Sequence, residues 1–165
     1  MEKIYNLIKG ISALFDRKRK AEGRMDQREI VLAGLAPAEG ALHSPVQVQK
    51  LFFLLDANIP NDIKGPLFNF QPYNYGPFDK RVYEILEGLA KEGYVEIVRC
   101  NSWNNYRLTS KGQEEGGKLL NALDERPRNY IRVVSDFVRS LSFTQLVTAI
   151  YKAYPDMRQN SVFQD

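Results

Sequence analysis

The fold of this chain is predicted best from residues 68–108, which read FNFQPYNYGPF (68–78), DKRVYEILEGLAKEGY (79–94) and VEIVRCNSWNNYRL (95–108). Apolar residues in its middle part recur at helical spacing, and Gly93 supplies a helix stop. Two β-rich segments, 94–98 and 106–108, then predict a hairpin with a polar connection of seven residues. Helix, strand, loop, strand and helix follow one another in a winged helix-turn-helix, which is the fold that this stretch predicts.

Helices are predicted within this stretch and on both sides of it. Ser44-Pro45-Val46-Gln47 is a capping-box pattern for a helix that runs to about Asn58, and Asp79 is a plausible N-cap for a helix over 80–92. Gly76-Pro77 is expected to end the aromatic segment before that helix. The other predicted helices cover residues 4–15, 26–35 and about 109–123. Two more follow: one begins near 128, just after Pro127, and the other begins at the capping box Ser142–Gln145.

The predicted fold class is mainly α with a small β-hairpin: a winged helix-turn-helix-like core with extra N- and C-terminal helices. A chain of 165 residues with 44% hydrophobic and 12% aromatic residues can bury one substantial core. We therefore predict a single domain over 1–165, with the winged-helix-like core at about 26–123 and a C-terminal helical extension at 128–165.

Composition argues against several classes of protein. One cysteine and one histidine, Cys100 and His43, provide neither a disulfide nor a zinc site, so no metal or cofactor is expected. Phosphate-binding glycine loops and nucleophile motifs are missing, and His43 has no catalytic partner in the sequence, which favours a non-enzymatic protein. A cysteine without a disulfide partner suits a reducing compartment, so we expect a cytoplasmic protein. No run of about 18 apolar residues is present, so we expect no membrane span.

Basic residues at three places are candidates for binding nucleic acid. Lys80 and Arg81 begin the helix that would read DNA in a winged-helix protein, although Glu84 and Glu87 on the same helix would repel phosphate. The net charge of +3 is compatible with an anionic partner. The basic run 16–24 is either a solvated helix end or a phosphate-contacting patch. The full candidate set is Lys80, Arg81, Arg99, Arg107, Arg17 and Lys18.

Aromatic residues are candidates for binding a partner protein. The series that includes Tyr73 and Tyr75 is either a short edge strand whose rings cover the core or a surface on which bases or a peptide stack. Trp103, near the hairpin tip, either contacts a partner or packs back onto the domain. The apolar tail 156–165 docks either on its own domain or on a partner.

Three segments together resemble the Panacea domain of SocA-type antitoxins and related prokaryotic proteins. They are Val48-Gln-Lys-Leu-Phe-Phe-Leu54, Tyr75-Gly-Pro-Phe-Asp-Lys-Arg-Val-Tyr83 and Gly93-Tyr-Val95. The resemblance covers about 44–109. It implies a non-catalytic protein that neutralises a toxin or acts as an adaptor, often encoded in mobile or defence loci.

Two hypotheses follow for the function. The first is a winged-helix-like regulator of antitoxin or adaptor type that binds DNA, a partner protein, or both. The second is a purely protein-binding adaptor or defence-system component that does not bind DNA. The expected partners are DNA, a toxin or defence component, and a second copy of the chain in a homodimer.

Overall fold

The computed structural model describes residues 25–164, and the predicted opening helix, Arg17 and Lys18 lie outside that range. The helices are α1 (Gln27–Leu35), α2 (Pro45–Asn58), α3 (Pro60–Ile63), α4 (Lys80–Lys91), α5 (Ser110–Ala122), α6 (Glu125–Ser140) and α7 (Phe143–Ala153). Strands β1 (Gln71–Tyr73) and β2 (Gly76–Phe78) form one antiparallel hairpin, and β3 (Val95–Cys100) and β4 (Trp103–Leu108) form another. The predicted mainly helical class with a small β component is confirmed.

The capping patterns explain where α2 and α7 begin. The Ser44 hydroxyl accepts a hydrogen bond from the Gln47 backbone N–H at 3.3 Å, and the Gln47 side chain accepts one from the Ser44 N–H at 2.9 Å. Ser142 and Gln145 form the same reciprocal pair at α7. Each box satisfies backbone donors that have no partner within the helix, which fixes the first turn at the predicted residue.

Three predicted boundaries were wrong. Helix α6 begins at Glu125, before Pro127, because a proline that lacks the N–H is tolerated in the first helical turn. Gly76-Pro77 does not end the aromatic segment but forms β2, with Gly76 paired to Tyr73. The second hairpin has a tight turn rather than a long loop, because Asn101 adopts φ 54° and lets the strands extend to Cys100 and Trp103.

A single hydrophobic cluster joins the helices, with α2 at its centre. Leu51, Leu54 and Leu55 of α2 are fully buried, and the same cluster contains side chains from α1, α4, α6 and α7. Helix α5 lies so close to α1 that a Cβ added at Gly116 would stand 2.4 Å from the Leu32 carbonyl oxygen. Within residues 25–164, every helix is too short or too polar to cross a bilayer.

The C-terminal tail packs along the first hairpin. The Val162 N–H donates to the Asn74 carbonyl at 3.0 Å, and the Asn160 side chain donates to the Pro72 carbonyl at 3.2 Å. The Phe163 ring contacts Phe143 of α7 with 6.0 Å between ring centroids. Of the two predicted alternatives, docking of the tail on its own domain is the one observed.

Candidate functional site

A groove of about 480 Å³ lies between the first hairpin, the N-terminal half of α2 and the start of α7. Six of the fifteen residues that line it are aromatic, and we call it the aromatic groove. Its six aromatic residues are Tyr73, Tyr75, Phe78, Tyr83, Trp103 and Phe143. The volume lies within the range of small-molecule and peptide side-chain pockets, roughly 300–1,000 Å³.

The structure brings together all three aromatic residues predicted to contact a partner. Tyr73, Tyr75 and Trp103 line the groove and are 51%, 44% and 48% exposed, so large rings remain open to solvent on one surface. Trp103 is the first residue of β4 and pairs with Cys100 next to the hairpin turn, and from this position it lines the groove.

Ring–ring contacts give the walls of the groove a defined shape. Tyr73 stacks on Phe78 with centroids 4.9 Å apart, and Phe78 meets the edge of Tyr83 at 5.7 Å. Tyr75 and Phe143 form a further T-shaped pair, with ring centroids 5.1 Å apart. Such pairs restrict ring rotation, so the groove offers a partner pre-formed apolar surface at low entropic cost.

Polar side chains of α2 hold the segment that carries the groove. The Gln49 amide both donates to the Asp79 carbonyl and accepts from the Asp79 N–H, each at 3.0 Å. Asp56 accepts from the backbone N–H groups of Leu67 and Phe68 at 2.9 and 2.8 Å. Burial raises the pKa of Asp56, and these two hydrogen bonds partly oppose that shift. Both ends of the segment 67–79 are therefore tied to one rigid helix.

Lys50 is the charged residue of the groove, and it is buried. Only 2% of its surface is exposed, and its amine donates to the Pro77 carbonyl at 3.1 Å. Desolvation lowers the pKa of Lys50 from its ordinary 10.5 to about 7. Lys50 and Pro77 belong to the two segments, 48–54 and 75–83, on which the predicted Panacea resemblance depends, so this hydrogen bond joins them.

The described basic candidates for DNA binding each have a local partner. Arg81 donates to Gln27 and lies 3.2 Å from the Glu84 carboxylate, which is also 3.9 Å from the Lys80 amine. Arg107 pairs with Glu96 at 2.7 Å, and Arg99 donates to Asn104 at 3.3 Å. Neighbouring carboxylates reduce the positive potential that would attract phosphate.

His43 is fully buried. Its backbone pairs with Tyr106 in both directions, at 2.8 and 2.9 Å. Within the described residues, neither imidazole nitrogen has a hydrogen-bond partner. Burial, assisted by the charge of Arg139, lowers the pKa of His43 to about 4. The imidazole is therefore neutral at physiological pH and is a poor candidate for acid–base chemistry.

Sequence reasoning missed Lys50 and Phe143 as groove residues. A signal for Lys50 was present, because α2 has apolar residues around its whole circumference and a lysine within it has to be buried. Phe143 gave no separate signal, since its spacing fits an ordinary helical stripe. Within residues 25–164, no three His, Cys, Asp or Glu side chains are grouped so that they could hold a metal ion.

Comparisons with known protein families, proteins and structures identified no relative of this chain. No protein-family model, curated protein or solved structure matches this chain. The resemblance to the Panacea domain therefore stays a prediction, and the arguments about function depend on the aromatic groove and on the charges around it.

Proposed function

We propose that this protein is a non-catalytic regulator or adaptor that binds a partner protein through the aromatic groove. The observation that carries the proposal is the convergence of Tyr73, Tyr75 and Trp103, all about half exposed, on one pre-formed groove. Tyrosine and tryptophan are the residue types enriched at the centres of protein interfaces, because they bury a large apolar area and keep a polar group for hydrogen bonding.

Protein binding is favoured over DNA binding by the distribution of charge. The exposed side chains of the groove are aromatic rather than basic. The described DNA-binding candidates lie beside carboxylates or amides; these candidates are Lys80, Arg81, Arg99 and Arg107. DNA binding depends on many unpaired cations that replace counterions. A toxin or a component of a defence system is the kind of partner that the predicted Panacea resemblance implies.

A peptide selection tests the proposal. Peptides displayed with free C termini are panned against the immobilised full chain, and the affinities of enriched peptides are then measured. We expect apolar and aromatic sequences to be enriched, and Trp103→Ala or Tyr73→Ala to weaken their binding by about 2 kcal/mol, roughly 30-fold.

Val133→Ala is the matched control, because Val133 is an exposed apolar residue of α6 that does not line the groove. It should leave the affinities unchanged. A selection that enriches no sequence, or peptides whose affinity is the same for Trp103→Ala and the unaltered protein, would contradict the proposal.

A further inference from the structure

The amine of Lys50 is a buried cation without a matching anion in the groove. None of the residues that line the groove is an aspartate or glutamate, and Lys50 takes part in none of the ion pairs among the described residues. A charged amine that is removed from water is costly unless an opposite charge accompanies it. A ligand with an anionic group would therefore complement the charge of Lys50 in the groove.

The amine also has hydrogen-bonding capacity to spare. A lysine ammonium has three donors, and one of them is used by the Pro77 carbonyl. The Gln49 amide is engaged by the backbone N–H and carbonyl of Asp79, and the Gln47 side-chain oxygen accepts from the Ser44 N–H. Among the residues that line the groove, Lys50 is thus the donor that carries a positive charge.

Gly76 leaves space beside this amine. A Cβ added at Gly76 would stand 3.6 Å from the Lys50 Nζ and 3.5 Å from its Cε. Any longer side chain at this position would crowd the amine. The glycine also adopts φ 97°, a backbone conformation that side chains disfavour, so one residue serves both the hairpin turn and access to Lys50.

We propose that the aromatic groove binds the C-terminal residue of its partner protein, with an apolar side chain against the rings and the terminal carboxylate on the Lys50 amine. This inference rests on the proposed function and specifies the part of the partner that binds. A C-terminal residue carries a carboxylate and a side chain on the same carbon, which matches a donor placed among aromatic walls. A charge-assisted hydrogen bond of this kind contributes both affinity and orientation.

Small blocked amino acids test the carboxylate directly. The probes are N-acetyl-L-phenylalanine, which has a free carboxylate, and its uncharged amide. Binding is followed by fluorescence of Trp103, the single tryptophan of the chain and a groove residue. We expect the acid to bind about tenfold more tightly than the amide, which corresponds to about 1.4 kcal/mol.

Lys50→Met provides the second comparison. It keeps a long apolar side chain and removes the charge, so the acid and the amide should bind within about twofold of each other. Lys91→Met, which removes an exposed lysine of α4, should retain the tenfold preference. Circular dichroism establishes that both variants are folded, and the acid–amide comparison on the unaltered protein stands without either of them.

A third probe separates the two sources of a carboxylate. N-acetyl-glutamyl-phenylalanine amide has a side-chain carboxylate and a blocked C terminus, and we expect it to bind no better than the phenylalanine amide. Equal binding to the free acid and this probe would overturn the C-terminal assignment. So would equal binding of acid and amide, or the lack of acid binding up to about 20 mM, well above the millimolar Kd expected of a small ligand. In each of those cases the peptide selection still decides the proposed function.

Discussion

Positive charge has opposite surroundings in two regions of the molecule, the aromatic groove and the basic surface formed by α4 and the β3–β4 hairpin. At the surface, Arg81 and Arg107 lie in water beside Glu84 and Glu96, where such pairs add little to stability. In the groove, Lys50 is buried without a carboxylate. A buried cation that costs stability and lines an open groove is a functional candidate, whereas a solvated ion pair needs no function to explain it.

The largest expected effect concerns His43, a buried base that does not line the groove. Its folded pKa of about 4 lies below the ordinary 6.5, so the unfolded state binds the additional proton and stability falls as pH drops through this window. The loss reaches about 3 kcal/mol at pH 4. We expect urea unfolding of the protein to show this fall relative to His43→Gln, which does not titrate.

His43→Gln also distinguishes the two buried bases, His43 and Lys50. His43→Gln should bind the selected peptides as the unaltered protein does at neutral pH, because His43 is not a groove residue. If the two proteins lose stability equally between pH 6.5 and 4, His43 is not held neutral in the folded state.

Lys50→Met should make the protein more stable at pH 7 while removing the carboxylate preference. The depressed pKa of Lys50 corresponds to a cost of about 4 kcal/mol at pH 7. Lys50→Met removes this cost but also loses the hydrogen bond to the Pro77 carbonyl, which offsets about 1–3 kcal/mol of the gain in stability. The net stabilisation is therefore about 2 kcal/mol, measured by urea unfolding, with Lys91→Met close to neutral.

The pH dependence of that gain identifies its cause. Because the folded-state pKa of Lys50 lies below the unfolded value, the stability of the unaltered protein rises between about pH 7 and 10.5 as the buried amine loses its proton. The advantage of Lys50→Met should therefore shrink towards zero near pH 9. An advantage that is constant with pH would mean that charge burial is not the reason.

Gly76→Ala should destabilise the protein by about 1–2 kcal/mol and weaken peptide binding. The added Cβ would meet Tyr151 at 3.3 Å, and φ 97° is strained for alanine. Gly88→Ala in α4 is the control: nothing lies within 4 Å of its Cβ, and alanine favours a helix by up to about 1 kcal/mol. Thermal unfolding of both variants checks the opposite signs, and equal signs would contradict the argument.

The smallest effects are expected at the basic surface. Arg81→Ala and Arg107→Ala should each change stability by less than about 1 kcal/mol, because their ion pairs are exposed. Fluorescence anisotropy with genomic DNA fragments at low salt measures the alternative function. Salt-dependent binding that both substitutions weaken would restore DNA binding as the main hypothesis.

Local chemistry made much of the fold predictable. The capping boxes at Ser44 and Ser142, the N-cap at Asp79 and the stop at Gly93 act within one helical turn, so the sequence nearby contains the information. The order helix α4, hairpin β3–β4 and helix α5 was also predicted. Pro127 led to a wrong start for α6, because a proline ends a helix in its interior but is tolerated in its first turn. The sequence pattern did not show which of the two positions Pro127 occupies.

The groove was only partly predictable, because its parts are distant in sequence. Tyr73, Tyr75 and Trp103 were selected one by one for residue type, and nothing in the sequence placed them on one surface. Phe143 reaches the groove because α7 packs against α2 and the first hairpin, a tertiary contact that periodicity does not encode. The position of Lys50 in the groove depends on the tertiary contact between its amine and the Pro77 carbonyl of the first hairpin, which the sequence pattern does not contain.

One spectrum tests most directly the claim that the groove, and not the basic surface, is the binding site. An ¹H–¹⁵N spectrum of the protein with a selected peptide reports on the Trp103 indole N–H and on the Arg81 and Arg107 Nε–H groups together. If the groove is the binding site, the Trp103 signal moves on titration while both arginine signals stay in place. Movement of the arginine signals with an unchanged Trp103 signal would assign binding to the basic surface instead.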